Sequence, residues 1–225
     1  MTGMLTLDTI KSQIAALDDI HRFFEVCNQD AKSIQPWQFS LSDSEKSFDI
    51  FMQQLTEIDK QTALRFSAIF ARYAVDYIRD QHLDEVRGIG FAFLENDPCM
   101  DGQSIERQIQ NVERWLENST PEHKAGVKEG IDPSRQLEIW EEDLFPPEDQ
   151  MWLWIIENTH LLSLGVTAGD AETYDHDSEA TPYRWSAKAC IARSAVSSLK
   201  VIAQEERTVD ADLTALFKIV GSEWK

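Results

Sequence analysis

The stretch that decides the fold is ALRFSAIFARYAVDYI, residues 63–78. Its apolar residues recur at three- and four-residue steps and cover most of the circumference of a helix. A helix that is apolar on nearly every side is typical of a protein interior. We therefore predict that a helix over about Lys60 to Gln81 is the most buried helix of the protein.

Helical periodicity continues on both sides of this stretch. An apolar stripe predicts a first helix from about Leu7 to Val26, and the pair Ser42 and Glu45 has the form of a capping box that opens a second one. Further helices are predicted over about 84–94, from Asp101–Gly102 onward, and over about 148–164, 182–205 and 210–224. We expect Gly165 to act as the C-cap of the helix over 148–164.

Proline behind a capping side chain marks three helix starts. Proline is tolerated at the first helical position because its missing N–H has no partner within the helix there. The three predicted starts are Thr120–Pro121, Asp132–Pro133 and Thr181–Pro182.

The composition favours the same fold class. Nine Gly and seven Pro among 225 residues leave little material for the many turns of a β-rich fold. No linker separates two cores, and no repeat has a fixed period. The predicted fold is therefore all-α. It is a single irregular domain over residues 1–225 with about eight or nine helices, arranged as a bundle or as an array of helical hairpins.

The charge narrows the classes of partner. With 40 acidic and 21 basic residues, the formal net charge is −19. This excess repels nucleic-acid phosphates and anionic lipid surfaces and attracts basic partners, so that neither nucleic acid nor a membrane is expected as a partner. The alternative is that the acidity serves solubility alone.

The cysteines and the N-terminus predict a cytoplasmic protein. The three cysteines, Cys27, Cys99 and Cys190, are an odd number and lie far apart, which argues against a disulfide framework and favours a reducing compartment. Cys27 and Cys190 belong to apolar helical patterns, and we expect both to be buried. The first residues have neither the basic region nor the apolar run of a signal peptide.

No catalytic motif is present. Phosphate-binding glycine loops, dinucleotide fingerprints and nucleophile elbows are all missing from the sequence. Glu157 and His160 have the i, i+3 spacing of di-iron helix bundles, but no second pair follows. We therefore predict no cofactor and no metal, and keep a helical metal-dependent enzyme that uses Glu157 and His160 as an alternative.

Three arginines recur every seven residues on the predicted buried helix, at Arg65, Arg72 and Arg79. This spacing aligns them along one helix face. On so apolar a helix we expect them to pair with carboxylates of neighbouring helices rather than to bind phosphate.

Two dense acidic stretches remain, over 138–149 and over 170–179. Trp140 lies within the first, and aromatic anchors rimmed by carboxylates suit the recognition of a basic protein surface. The predicted contact residues are Glu138, Trp140, Glu141, Glu142, Asp143, Asp175 and Asp177. The alternative is that the tryptophans fill the core while the carboxylates only face water.

These features predict an acidic protein-binding module. In general character it is similar to the small immunity proteins that neutralise bacterial toxins, although no motif is matched residue by residue. The similarity implies an inhibitor of the immunity or antitoxin kind, with a basic toxin or nuclease as its partner. A structural or scaffold protein that self-associates through its aromatic helices is a further alternative.

Overall fold

The computed structural model of the protein describes residues 5–29, 31, 34–36, 41–94, 102–129, 150–167, 174–175, 184–203 and 209–223. Of these, residues 78–94, 102–105, 129, 150–158, 174–175 and 184–185 are described by their backbone alone. The prediction of an all-α fold with about eight or nine helices is confirmed, because nine helices occur in the described ranges. They are α1 (Leu7–Ala15), α2 (Ile20–Cys27), α3 (Asp43–Ile58), α4 (Lys60–Leu94), α5 (Gly102–Glu117), α6 (Pro121–Glu129), α7 (Gln150–Thr167), α8 (Ala187–Ile202) and α9 (Val209–Glu223).

One short strand pair accompanies the helices. Strands β1 (Tyr174–Asp175) and β2 (Arg184–Trp185) pair in antiparallel orientation between α7 and α8. Tyr174 lies opposite Trp185, and Asp175 lies opposite Arg184. Residues 174–175 of the second acidic stretch therefore take part in a two-residue ladder.

Capping side chains determine where several helices begin. In the capping box of α3, the Glu45 backbone N–H donates to Ser42 Oγ at 3.3 Å, and the Ser42 backbone N–H donates to Glu45 Oε2 at 2.7 Å. The Asp19 carboxylate accepts hydrogen bonds from the first N–H groups of α2, which splits the predicted first helix into α1 and α2. The predicted start at Pro121 is correct. The start predicted at Pro182 is wrong, because α8 begins at Ala187 behind the N-cap Ser186.

Glycines interrupt the helices less than expected. Helix α4 continues without a break over 35 residues through Gly88 and Gly90, where we predicted two helices. An interior glycine costs a helix only about 1 kcal/mol, which does not by itself end it. Gly165 lies inside α7 instead of capping it. A Cβ atom there would lie 2.6 Å from Ile191 Cγ1, so that glycine permits the close approach of α7 and α8.

Helix α8, rather than α4, is the most completely buried helix of the described structure. Thirteen of its 16 residues are buried, and it packs against α3, α4, α7 and α9. Most of the buried residues are Ala, Ser or Cys, whose small side chains let neighbouring helices approach from several sides. About half of residues 60–77 of α4 are buried. The expectation that this helix is the most buried one is therefore wrong.

Two groups of helices meet at α4 and α8. In the first group, α9 packs against α1, α2 and α3. Phe217 of α9 lies at the centre of an aromatic cluster here, with ring centroids 4.9–6.3 Å from those of six other phenylalanines: Phe23, Phe24, Phe48, Phe51, Phe66 and Phe70. Offset and edge-to-face ring contacts of this kind add to the free energy gained by burial.

In the second group, α5, α6 and α7 are joined by buried polar contacts. Gln108 Nε2 donates to the Val127 carbonyl at 2.9 Å and to Ser163 Oγ at 2.7 Å, and Ser163 Oγ donates to the Thr159 carbonyl at 2.9 Å. Buried polar groups that find partners fix the relative position of the helices that carry them. No helix in the described part of the chain is both long and apolar enough to cross a membrane.

Candidate functional site

Most of the predicted contact residues lie outside the described residues: Glu138, Trp140, Glu141, Glu142, Asp143 and Asp177. Asp175 belongs to β1, where only its backbone is described. In the sequence, the first acidic stretch leads into the N-terminus of α7 and the second follows its C-terminus. The ends of this 18-residue helix are roughly 27 Å apart. The acidic patch therefore stays a prediction.

The described residues form a groove between α4, α5 and α9. Its volume is about 400 Å³. Buried apolar side chains reach it from all three helices, among them Phe66, Leu116 and Val220. The polar residues that line it are Arg65, Arg72, Tyr73, Glu113, Glu117 and Glu223. Tyr73 is 39% exposed, although it belongs to the same helix as the buried core residues.

Both arginines that line the groove are engaged by α5. Arg72 Nη2 lies 2.7 Å from Glu113 Oε2, and Arg72 Nε donates to Glu113 Oε1 at 3.2 Å. This bidentate pair confirms that Arg72 pairs with a carboxylate of a neighbouring helix. Arg65 Nη2 donates instead to the Leu116 carbonyl at 3.4 Å, near the C-terminus of α5, where the helix dipole favours a cation. The side chain of Arg79 is not described.

Two further carboxylates line the groove, each at the C-terminal end of a helix. Glu117 is the last residue of α5, and Glu223 is the last residue of α9. A negative charge at a helix C-terminus is unfavourable, because the helix dipole already makes that end negative. Among the residues that the structure describes, no cationic side chain lies within ion-pair distance of either carboxylate. The charged side chains that line the groove are two arginines and three glutamates, so that its lining carries a net charge of −1.

No protein-family model, curated protein sequence or solved structure matches this chain. The groove is therefore interpreted from its own side chains. Sequence analysis missed it, because its helices are far apart in the chain and nothing in the sequence shows that they meet. The only available signal was the periodic arginine face, which indicated that a helix with carboxylates packs against Arg72.

The structure describes only part of the alternative metal site. Burial lowers the pKa of the His160 imidazole to about 4, so that His160 is neutral at physiological pH. The side chain of Glu157 is not described. No group of three or more potential ligands that could hold a metal ion is found within the described ranges. The enzyme that would use Glu157 and His160 stays an untested prediction.

The two described cysteines are buried, as predicted. Burial raises the pKa of the Cys27 thiol and that of the Cys190 thiol to about 12. Because the thiolate is the nucleophilic form, both groups are unreactive at physiological pH. Both side chains therefore contribute to the packing of α2 and α8 and are not nucleophiles.

A histidine, a serine and an aspartate meet where α2, α3 and α9 begin. His21 Nε2 lies 2.8 Å from Asp210 Oδ2, and Ser44 Oγ donates to Asp210 Oδ1 at 2.5 Å. A catalytic triad needs the imidazole to contact the serine hydroxyl, but here both groups contact the carboxylate. The cluster ties three helix N-termini to one anion, which is a stabilising role.

Proposed function

We propose that this protein is an acidic module that binds a basic protein, as an inhibitor of the immunity or antitoxin kind. The observation that carries the proposal is the distribution of charge along the sequence on the two sides of α7. Residues 130–149 contain seven acidic residues and one basic residue, and residues 168–183 contain five acidic residues and no basic one. These two segments lead into and out of α7.

Helix α7, which lies between these two segments in the sequence, is fixed in the core. Its residues 161–166 are all buried, and α7 packs against α4, α5, α6 and α8. The two acidic segments therefore flank, in the sequence, a helix that is fixed in the core. A dense negative surface also steers a cationic partner toward it and raises the association rate.

The chemistry favours a protein over the other classes of partner. Phosphate groups are repelled by the net charge of −19. Trp140 stands between Glu138 and Glu141 in the sequence, and tryptophan is the kind of residue that dominates binding energy in protein interfaces. Carboxylates around an aromatic anchor match an Arg- or Lys-rich protein surface.

A charge-reversal experiment tests the proposal. The wild-type protein is immobilised in native lysate at low salt, the captured protein is identified and purified, and its affinity is measured at several salt concentrations. We expect the variant Glu138→Lys, Glu141→Lys, Glu142→Lys and Asp143→Lys to bind at least about tenfold more weakly, with a shallower salt dependence, since close interfacial charge pairs contribute more than 1 kcal/mol each.

The matched control reverses four exposed carboxylates outside the predicted contact residues: Asp8→Lys, Asp18→Lys, Glu25→Lys and Glu122→Lys. It changes the net charge by the same amount and leaves the predicted patch intact. We expect it to keep most of the affinity. Equal losses of affinity in the two variants would show that only the net charge matters. Unchanged affinity of the first variant would show that Glu138 to Asp143 do not contact the partner.

A further inference from the structure

We propose that the groove between α4, α5 and α9 binds an arginine side chain presented by a basic protein. This inference rests on the proposed function and assigns part of the contact to residues that sequence analysis did not select. It depends on three properties of the groove, namely its charge, the engagement of its own arginines and its shape.

The charge of the groove calls for a cation. Glu117 and Glu223 each place a carboxylate at the C-terminal end of a helix, and both line the same groove. Each carboxylate is destabilised by the negative end of its own helix dipole. A cation between the two helix ends relieves both interactions at once, and this is the inverse of anion binding at helix N-termini.

The arginines of the groove form no ion pair with Glu117 or Glu223. Arg72 is held by two contacts to Glu113, and Arg65 donates to the Leu116 carbonyl. Neither arginine lies within 4.0 Å of Glu117 or Glu223. The Arg72–Glu113 ion pair also lines one side of the groove, and the two opposite charges neutralise each other.

The shape and lining favour arginine over lysine. The volume of about 400 Å³ is near the lower end of the range for ligand pockets, roughly 300–1,000 Å³, and suits one long side chain with its neighbours. Tyr73 offers a half-exposed ring on which a planar guanidinium can stack. Ile69 and Leu116 can cover its methylene groups. A guanidinium can also donate to two carboxylates at once, which an ammonium does with less geometric specificity.

The test uses N-acetyl-arginine amide as the probe, with backbone amide chemical shifts as the readout. We expect the probe to shift resonances of α4, α5 and α9 around Tyr73, Glu117 and Glu223. The isosteric neutral probe N-acetyl-citrulline amide should not shift them. We expect the variant Glu117→Gln, Glu223→Gln to weaken arginine binding about tenfold or more, because charged hydrogen bonds are about twice as strong as neutral ones. The control Glu25→Gln, Glu122→Gln should bind like the wild type.

Several outcomes would overturn the inference. Equal shifts with arginine and citrulline would remove the role of charge, and shifts spread over all surface carboxylates would show nonspecific attraction only. Concentration-dependent dimerisation that Tyr73→Ala abolishes would assign the groove to a second copy of the chain. If the arginine probe fails while capture of a basic protein still depends on Glu138 to Asp143, the groove assignment fails and the proposed function stands. If capture of the basic protein also proves independent of Glu138 to Asp143, both the groove assignment and the proposed function fail.

Discussion

Helix α8 and the groove beside α4 make opposite use of polar groups. Around α8, small side chains pack closely, and hydroxyl groups satisfy carbonyls, as in the hydrogen bond from Ser67 Oγ to the Ile191 carbonyl at 3.2 Å. At the groove, Tyr73 is half-exposed, and Glu117 and Glu223 are not paired with any described cation. This difference predicts that the residues that stabilise the fold and the residues of the proposed binding groove are different ones. Substitutions around α8 should change the free energy of unfolding, and those at the groove should change ligand affinity.

One helix, α4, takes part in both regions. Leu64 and Phe70 belong to the buried core, while Arg65 and Arg72 line the groove. With 3.6 residues per turn, alternate faces of one helix serve different neighbours. Substitutions in the core and at the groove test this separation.

The largest effect is expected in the aromatic cluster. Phe217→Ala removes a fully buried ring and should lower the free energy of unfolding by about 3–5 kcal/mol, the range for large-to-small changes in protein cores. Urea unfolding at pH 7 measures it. The matched substitution at the groove, Tyr73→Ala, should cost less than half as much, because the Tyr73 side chain is already partly exposed. Similar losses would contradict the separation.

The second effect depends on pH. The pKa of His160 is about 4 in the folded protein, against about 6.5 in an unfolded chain. The unfolded state therefore takes up the proton first as the pH falls. Full stability is present above about pH 6.5 and is lost progressively toward pH 4, by about 3 kcal/mol in total. His160→Leu should flatten this part of the stability–pH curve. A curve unchanged by His160→Leu would contradict the burial of the imidazole.

The third prediction is that replacing two different glycines with alanine changes the free energy of unfolding in opposite directions. Gly165→Ala forces a methyl group against Ile191 and should lower the free energy of unfolding by about 1–2 kcal/mol, despite the higher helix propensity of alanine. Gly126→Ala meets no atom within 4 Å and should raise it by about 0.5–1 kcal/mol. Thermal unfolding of both variants tests the pair. Two changes of the same sign would contradict the close approach of α7 and α8.

The smallest change in free energy is expected at the Arg72–Glu113 ion pair, which lines the groove. The side chains of Arg72 and Glu113 are 26% and 39% exposed, so water and salt screen their attraction. A double-mutant cycle with Arg72→Leu and Glu113→Gln should give a coupling energy of about 1 kcal/mol that decreases at high salt. A coupling of several kcal/mol would place the pair in the interior rather than at the groove.

Local signals in the sequence were sufficient for much of the fold. The capping box at Ser42 and the proline at Pro121 act within one helical turn, and both predictions are confirmed. The burial of Cys27 and Cys190 followed from the apolar patterns around them. Predictions failed where a local signal competed with packing. Pro182 was read as a helix start, but Ser186 caps α8, and Gly165 was read as a helix end, but α7 continues through it.

The groove could not be predicted in the same way. Glu117 and Glu223 are separated by more than 100 residues, and nothing near either of them in the sequence indicates a shared site. The seven-residue spacing of the arginines indicated a carboxylate partner for Arg72 but did not identify Glu113. The predicted contact residues, from Glu138 to Asp143 together with Asp175 and Asp177, remain predictions.

The sequence by itself determined the helical fold class, the net charge of −19 and the ends of those helices that carry strong caps, because periodicity, composition and capping act over a few residues. Only the tertiary structure decided that α8 occupies the interior and that α5 and α9 end beside the same face of α4. Which helices meet depends on how side chains from distant parts of the chain fit together, as where Gly165 of α7 lets Ile191 of α8 approach closely and where Arg72 of α4 pairs with Glu113 of α5.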